Sequence, residues 1–286
     1  MASFKEMKKN RMANLESLSK QVEKLAEKPS YEDERIWKLE RDKTGNGYAV
    51  IRFLPAPPKE DVPWVRVWTH GFKGPGGWYI ENSLTTLGKD DPVSKANTAL
   101  WNSGIDSDKN IARERRRKLN YYSNIYIVED AANPQNEGKV FLFRYGKKIF
   151  EKITGVMNPE FKDETPMNPF DLWEGANFKI KMRQIDGFPN YDKSEFTEVC
   201  PLVGDEKELE EVWNQQYSLT EITEEKNFKN YAELEARFNT VIAHLNHSDG
   251  TSEFVGTIEE STGDPVASGE KADNTLDYFK KLAEQD

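Results

Sequence analysis

Residues 139–146 read KVFLFRYG. In an extended chain successive side chains point to opposite faces, so Phe141, Phe143 and Tyr145 share one face and Arg144 lies on the other. The run is bounded by the turn-forming NPQNEG and by a glycine, which marks a half-buried strand and not a helix. Working outward, the same reading applies to YAVIRFLP after the turn KTGNG, and to WVRVWTHGF, GWYIEN, NIYIVED and NFKIKMRQID. Helical periodicity appears instead in KKIFEKITGVM, EKELEEVWNQQ and YAELEARFNTVIAHL. Strands fill the middle and helices flank it, which predicts an α+β domain on a small antiparallel barrel or sheet. No fixed-period repeat is present.

The ends of the chain differ from this body. From Asn246 to Asp286, ten acids face three lysines and leave -7 of the chain's formal net charge of -10 in its last 41 residues. This stretch is rich in Ser, Gly and Thr, with few large apolar residues to offset the entropy of ordering it, and reads as an acidic flexible tail over 246–286. Leu276, Phe279 and Leu282 could form a short helix that docks on a partner, or the end could simply be solvated. At the other end Leu15, Leu18, Val22 and Leu25 make one apolar helix face that Pro29 should stop. Lys8, Lys9 and Arg11 precede it, so residues 1–30 read as a basic arm and helix that dock on a partner, or as a solvated helix laid on the core, and 31–245 as the structured body.

A body of this size, in a chain of 286 residues of which 36% are hydrophobic, can bury a substantial core. No stretch reaches the roughly 18 to 20 apolar residues of a membrane span, and the N-terminus has no signal-like apolar run, so no membrane is expected as a partner and the cytoplasm is the expected location. One cysteine, Cys200, excludes an intramolecular disulfide and a multi-cysteine metal cage. GFKGPGG lacks the Gly-Lys-Ser/Thr ending of a phosphate loop and reads as a hairpin turn. His244 and His247 are three apart but have no evident third ligand. Three histidines and one cysteine support no nucleophilic triad, so the residues give no specific support to catalysis.

What remains is a basic and aromatic signal. Residues 113–126, RERRRKLNYYSNIY, set Arg113, Arg115, Arg116, Arg117 and Lys118 ahead of Tyr121, Tyr122 and Tyr126. KVFLFRYGKK repeats the theme with Phe143, Arg144, Tyr145, Lys147 and Lys148. Cations tracking phosphates, with rings on which bases stack, are how single-stranded nucleic acid is bound without sequence preference. A solvated basic loop beside ordinary core aromatics has the same composition.

Five ordered blocks, WKLERDKTGNGYAVIRFLP, HGFKGPGGWYIE, NYYSNIYIVED, NEGKVFLFRYGKKIFEKI and LWEGANFKIKMRQIDGFPNYDKSEF, resemble the single-stranded DNA-binding, or helix-destabilising, proteins of T-even-type bacteriophages. The resemblance implies an OB-fold core with an inserted lobe at about 70–110, flanking helices, cooperative coating of single strands in phage replication, recombination and repair, and a location in the host cytoplasm. It also implies an acidic tail that recruits phage replication and recombination proteins. The DNA-contacting residues it implies are Arg52, Trp101, Arg116, Arg117, Lys118, Tyr121, Tyr122, Phe143, Phe188 and Tyr191. RNA as the main single-stranded ligand, and an acidic scaffold protein without nucleic-acid binding, are the competing readings.

The chain departs from the family in two places. The family's zinc is held by one histidine and three cysteines; His70 matches the histidine, but ENSLTTLGKDDPVSKAN carries Ser83 and Ser94 and no cysteine, so no zinc cofactor is expected. Asp90 or Asp91 could stand in for a ligand, and otherwise the lobe must hold by packing, with Leu84, Leu87, Val93, Leu100 and Trp101 as candidates. The family's N-terminal basic triplet followed by Ser/Thr is here KKNRM, interrupted by Asn10.

Overall fold

A computed structural model describes residues 33–185 and 187–243. The basic arm with Lys8, Lys9 and Arg11, the histidines His244 and His247, and the acidic tail lie outside the described residues. The chain divides into two units, 1–36 and 37–286; the second is described here. After a two-residue strand β1 (Ile36–Trp37), the elements run β2 (Gly47–Phe53), β3 (Val65–Gly74), β4 (Gly77–Asn82), α1 (Pro92–Asn102), α2 (Asp106–Glu114), β5 (Lys118–Glu129) and β6 (Val140–Tyr145). They continue through α3 (Lys147–Met157), β7 (Ala176–Ile185), β8 (Phe188–Asn190), β9 (Glu195–Val199), α4 (Glu206–Asn214) and α5 (Tyr231–Ile242).

The pairings among β2–β9 are antiparallel, and β5 is their hub. Its first residues pair with β3 (Thr69 opposite Lys118, Val65 opposite Tyr122). Its middle pairs with β6 (Tyr121 opposite Tyr145, Tyr126 opposite Val140), and its end with β2 (Phe53 opposite Ile125). β2 passes on to β7, which carries β8 and β9. The sequence places this strand at NIYIVED; it begins six residues earlier, at Lys118, because β3 gives LNYY a partner that local pattern cannot show.

Alternation along these strands builds the core. Tyr121, Ile125, Ile127, Phe143, Tyr145, Ile51, Phe53, Phe178 and Ile180 form one buried cluster. Phe53 lies at its centre, its ring within 6.4 Å of those of Phe143, Tyr145, Phe170, Phe178 and Phe196. Burying each large apolar side chain stabilises the fold by about 1.5–3 kcal/mol. A smaller cluster on the other side of the sheet sets Leu209 and Val212 of α4 against Leu54, Val140 and Leu172.

A separate cluster joins the β3–β4 hairpin to α1 and α5 through Phe72, Tyr79, Leu84, Val93, Leu234, Phe238 and Val241. The hairpin turn expected at GFKGPGG is present, with Gly74 opposite Gly77. Its tip is tied down by the Gly76 N–H, which donates to the Val241 carbonyl at 2.8 Å. A Cβ at Gly76 would collide with the Thr240 carbonyl, so the close approach requires glycine. Helices α1 and α2 are not anticipated from the apolar pattern. The signal for α1 lies in its cap: Asp91 accepts from the Ser94 N–H at 2.9 Å and Pro92 fills the first turn.

Candidate nucleic-acid interface

The run RERRR is divided among three structural settings. Arg113 closes α2 and its guanidinium lies 5.5 Å from the centre of the Trp101 ring. Arg115 points into the hairpin cluster, 5.7 Å from Phe72 and 5.6 Å from Phe238, and burial lowers its pKa, offset by Glu114. Both cations therefore have aromatic partners within the chain. Arg116 and Arg117 form the connector to β5, and Lys118 opens the strand. Arg117 stacks on Trp68 at 4.3 Å, while Arg116 and Lys118 are exposed.

Register extends this basic step across the sheet. Directly opposed residues share a face, so Lys118 lies with Thr69, and Tyr122 lies with Val65 and Arg144. On the hairpin Lys73 opposes Trp78, and Trp78 and Ile80 are exposed at 48% and 69%. Arg144 and Lys148 are exposed and, among the described residues, Arg116, Lys118, Arg144 and Lys148 have no acidic partner within ion-pair distance. Lys147 and Glu151 lie 3.3 Å apart but both are well exposed, so solvent leaves this pair weak. Lys147 and Lys148 open α3, whose N-cap Gly146 offers no side-chain cap and whose first turn has no acid. Free N–H groups and two ammonium groups at the positive end of a helix dipole favour a bound anion.

The sequence-predicted rings split into two groups. Trp101 and Phe188 are open, at 51% and 58% exposure. Tyr121 and Phe143 belong to the main core; the Tyr121 ring stacks on Phe150 at 3.9 Å, and Phe143 packs against Trp37 at 5.5 Å. Tyr122 is buried, and Tyr191 packs partly buried against the main core, where burial raises its pKa. Arg52 is wholly inside. Its guanidinium donates to the Cys200 carbonyl and to Asn177 Oδ1 at 3.4 Å, its Nε has no partner, and burial lowers its pKa, offset by Cys200 and Asp171. Sequence reasoning passed over Lys73 and Trp78, which oppose each other on the hairpin; Arg66, also passed over, opposes Tyr121 and so lies on the other face from Lys118, Tyr122 and Arg144.

Beside the basic connector lies a buried polar cluster. His70 is 1% exposed; its Nδ1 is 2.9 Å from the Arg115 carbonyl oxygen and its Nε2 is 3.2 Å from Asp91 Oδ1. Ser94 Oγ is 3.4 Å from the same Nε2. Asp91 Oδ2 accepts from Ser83 Oγ at 2.9 Å and from the Leu84 N–H at 3.2 Å. Burial alone would push the Asp91 carboxyl up. The hydrogen bonds from His70, the Ser94 N–H and Ser83, with the charge of His70, outweigh it and hold the carboxyl at about 2. Asn97 Nδ2 also donates to the Arg115 carbonyl, at 3.1 Å.

A groove of about 700 Å³ runs between the end of α3 and β9, lined by Val156, Phe161, Met167, Phe196 and Val199 among others. None of the sequence-predicted contact residues lines it.

The family described as "gp32 DNA binding protein like" matches residues 45–242, from the turn before β2 to the end of α5. The protein named single-stranded DNA-binding protein of Enterobacteria phage T2 is 38% identical over 272 residues, covering 92% of this chain and 88% of its own length. Its namesake from Enterobacteria phage T4 is 38% identical over 257 residues, covering 88% and 83%. A stretch of 77 residues is 48% identical to the protein of that name from Escherichia phage SV14. The matched span carries β2–β9, the basic connector and its neighbouring rings, and the chain belongs to the family of gp32-like DNA-binding proteins.

Proposed function

We propose that this protein binds single-stranded DNA without sequence preference and coats it cooperatively during phage DNA replication, recombination and repair, in the cytoplasm of the infected host. A member of this family is a binding protein and not an enzyme. The observation that carries the reading is the set of exposed cations, Arg116, Lys118, Arg144 and Lys148, that have no acidic partner among the described residues, around the start of β5, with the Arg117 guanidinium over the Trp68 ring. In an acidic chain, unneutralised cations at one place on a sheet have use for a polyanion. The sheet itself is read as an OB-type barrel, and the β3–β4 hairpin with α1 and α2 as its inserted lobe.

Phosphates would follow Arg116, Arg117, Lys118, Arg144 and the first turn of α3. Bases would stack on the open rings Trp101 and Phe188, with Trp78 as a further platform. Tyr121, Tyr122 and Phe143 would act chiefly by fixing the sheet from which these groups project, and Arg52 by holding β2 against the chain around Cys200. Lys8, Lys9 and Arg11 would bind a neighbouring subunit, and the acidic tail would recruit replication proteins and compete with DNA for the cations, a brake that salt weakens. Titration of poly-dT and poly-U in increasing salt, followed by tryptophan fluorescence, tests the reading. Tight, salt-sensitive binding that favours poly-dT supports it; no binding at low salt refutes it, and preference for poly-U assigns RNA as the ligand. Deleting residues after 247 should tighten binding at low salt, and unchanged affinity would refute the brake.

A further inference from the structure

We infer that the buried His70, Asp91, Ser83 and Ser94 cluster holds the β3–β4 hairpin to α1 without a metal ion, and that it fixes the backbone from which Arg116, Arg117 and Lys118 project. The second half of this inference rests on the proposed function; the first does not.

The donor set is the first argument. A structural zinc site is closed by four ligands, mostly thiolates and imidazoles, whose negative charge offsets the ion. Here one imidazole and one carboxylate are joined by two neutral hydroxyls, and among the described residues no three His, Cys, Asp or Glu side chains come together as a metal site. Both Asp91 oxygens are already committed: Oδ1 to His70 and the Ser94 N–H, Oδ2 to Ser83 and the Leu84 N–H. Taking up an ion would break the cap of α1.

The second argument is the orientation of His70. A metal-bound imidazole commonly gives its other N–H to a carbonyl. His70 has that outer bond, from Nδ1 to the Arg115 carbonyl, but a carboxylate stands where the ion would be. Both ring nitrogens are engaged, so the imidazole bridges the Asp91 carboxylate and the Arg115 carbonyl. The His70–Asp91 contact joins β3 to the N-terminus of α1 as a shared metal would, and Ser83 adds the turn after β4. Because the outer bond ends on Arg115, where Asn97 also donates, the cluster clamps the residue that leads into the basic connector.

The full-length protein provides the test. Purified without added metal, it should contain far less than one zinc per chain, and a strong chelator should leave its Tm unchanged; stoichiometric zinc, or a Tm that falls on chelation, overturns the metal-free cluster. Asp91→Asn removes one partner of a buried pair and should lower Tm by about 10 °C. It should also flatten the salt dependence of poly-dT binding by about one phosphate contact. Leu234→Ala, a cavity in the same hairpin cluster, should lower Tm comparably and leave the salt slope alone. If Asp91→Asn lowers Tm but keeps the wild-type slope, the positioning role is overturned while the metal-free cluster stands. Where the wild-type protein itself shows no salt-dependent binding, it is the proposed function that fails. Should Asp91→Asn not fold, Ser94→Ala provides the slope measurement with the Asp91–His70 pair intact.

Discussion

Replacing Arg116, Arg117 and Lys118 together by glutamine removes the positive step at the start of β5 while keeping an uncharged, hydrogen-bonding side chain at each position. Among the described residues none of the three has an acid within ion-pair distance, so each is available to displace a counterion from a phosphate. On single strands each neutralised phosphate contributes about 0.7 to the slope of log K against log salt, so the triple variant should lose about 2 from that slope. At about 0.1 M salt the same contacts amount to roughly a hundredfold in affinity, close to 3 kcal/mol. The fold should be unharmed, because Arg116 and Lys118 are exposed and Arg117 is half-buried with its guanidinium over the Trp68 ring. The assay is fluorescence titration with poly-dT at several salt concentrations, with Tm measured on the same samples. Lys226, already paired with Glu221 and Glu224, supplies the control substitution. A triple variant that binds more weakly with an unaltered slope would refute the reasoning, since the loss would then not come from phosphate neutralisation.

Trp101→Ala should weaken poly-dT binding by about 1–3 kcal/mol without changing the salt slope, because stacking releases few counterions, and should barely move Tm because the ring is half exposed. Tyr121→Ala should behave in the opposite way: with its ring stacked on Phe150 at 3.9 Å, it should cost about 3 kcal/mol of stability in urea unfolding, whereas Tyr121→Phe should keep most of it. A Tyr121→Ala protein as stable as wild type would place the ring outside the core. The Asp91 carboxyl, held at about 2 against an ordinary 3.8, contributes stability that is complete above about pH 4 and lost as pH falls through about 2, amounting to roughly 2 kcal/mol. Thermal unfolding from pH 5 down to pH 2 should therefore bring wild type and Asp91→Asn together in acid; a constant gap would contradict the assignment.

Much of this was readable residue by residue. Alternation in KVFLFRYG set Phe143 and Tyr145 apart from Arg144, and KKIFEKITGVM occupies the whole of α3. Helices α4 and α5 also begin where apolar spacing places them, at Glu206 and Tyr231. Helix α1 was missed because its apolar pattern is weak and its evidence is a cap, Asp91 followed by Pro92. Arg113 and Arg115, which have no counterpart among the contacts the family resemblance implies, turn out to have aromatic partners within the chain.

The sequence by itself determined strands β2–β7 and helices α3–α5 in order, the segregation of acid into the tail, and the resemblance to the family, because these depend on local periodicity, composition and ordered similarity. Only the tertiary structure decided which rings are open and which cations are free. A strand's alternation says that two side chains face opposite ways; it does not say which face another element will cover. Tyr121 and Phe143 fell on the side that Phe150, Phe53 and Trp37 fill, Arg52 came to donate to the Cys200 carbonyl, and Asp91 met His70, which lies 21 residues earlier in the chain on β3. Such pairings depend on long-range register, in which a one-residue slip would exchange core and surface, and no local window of the chain contains that information.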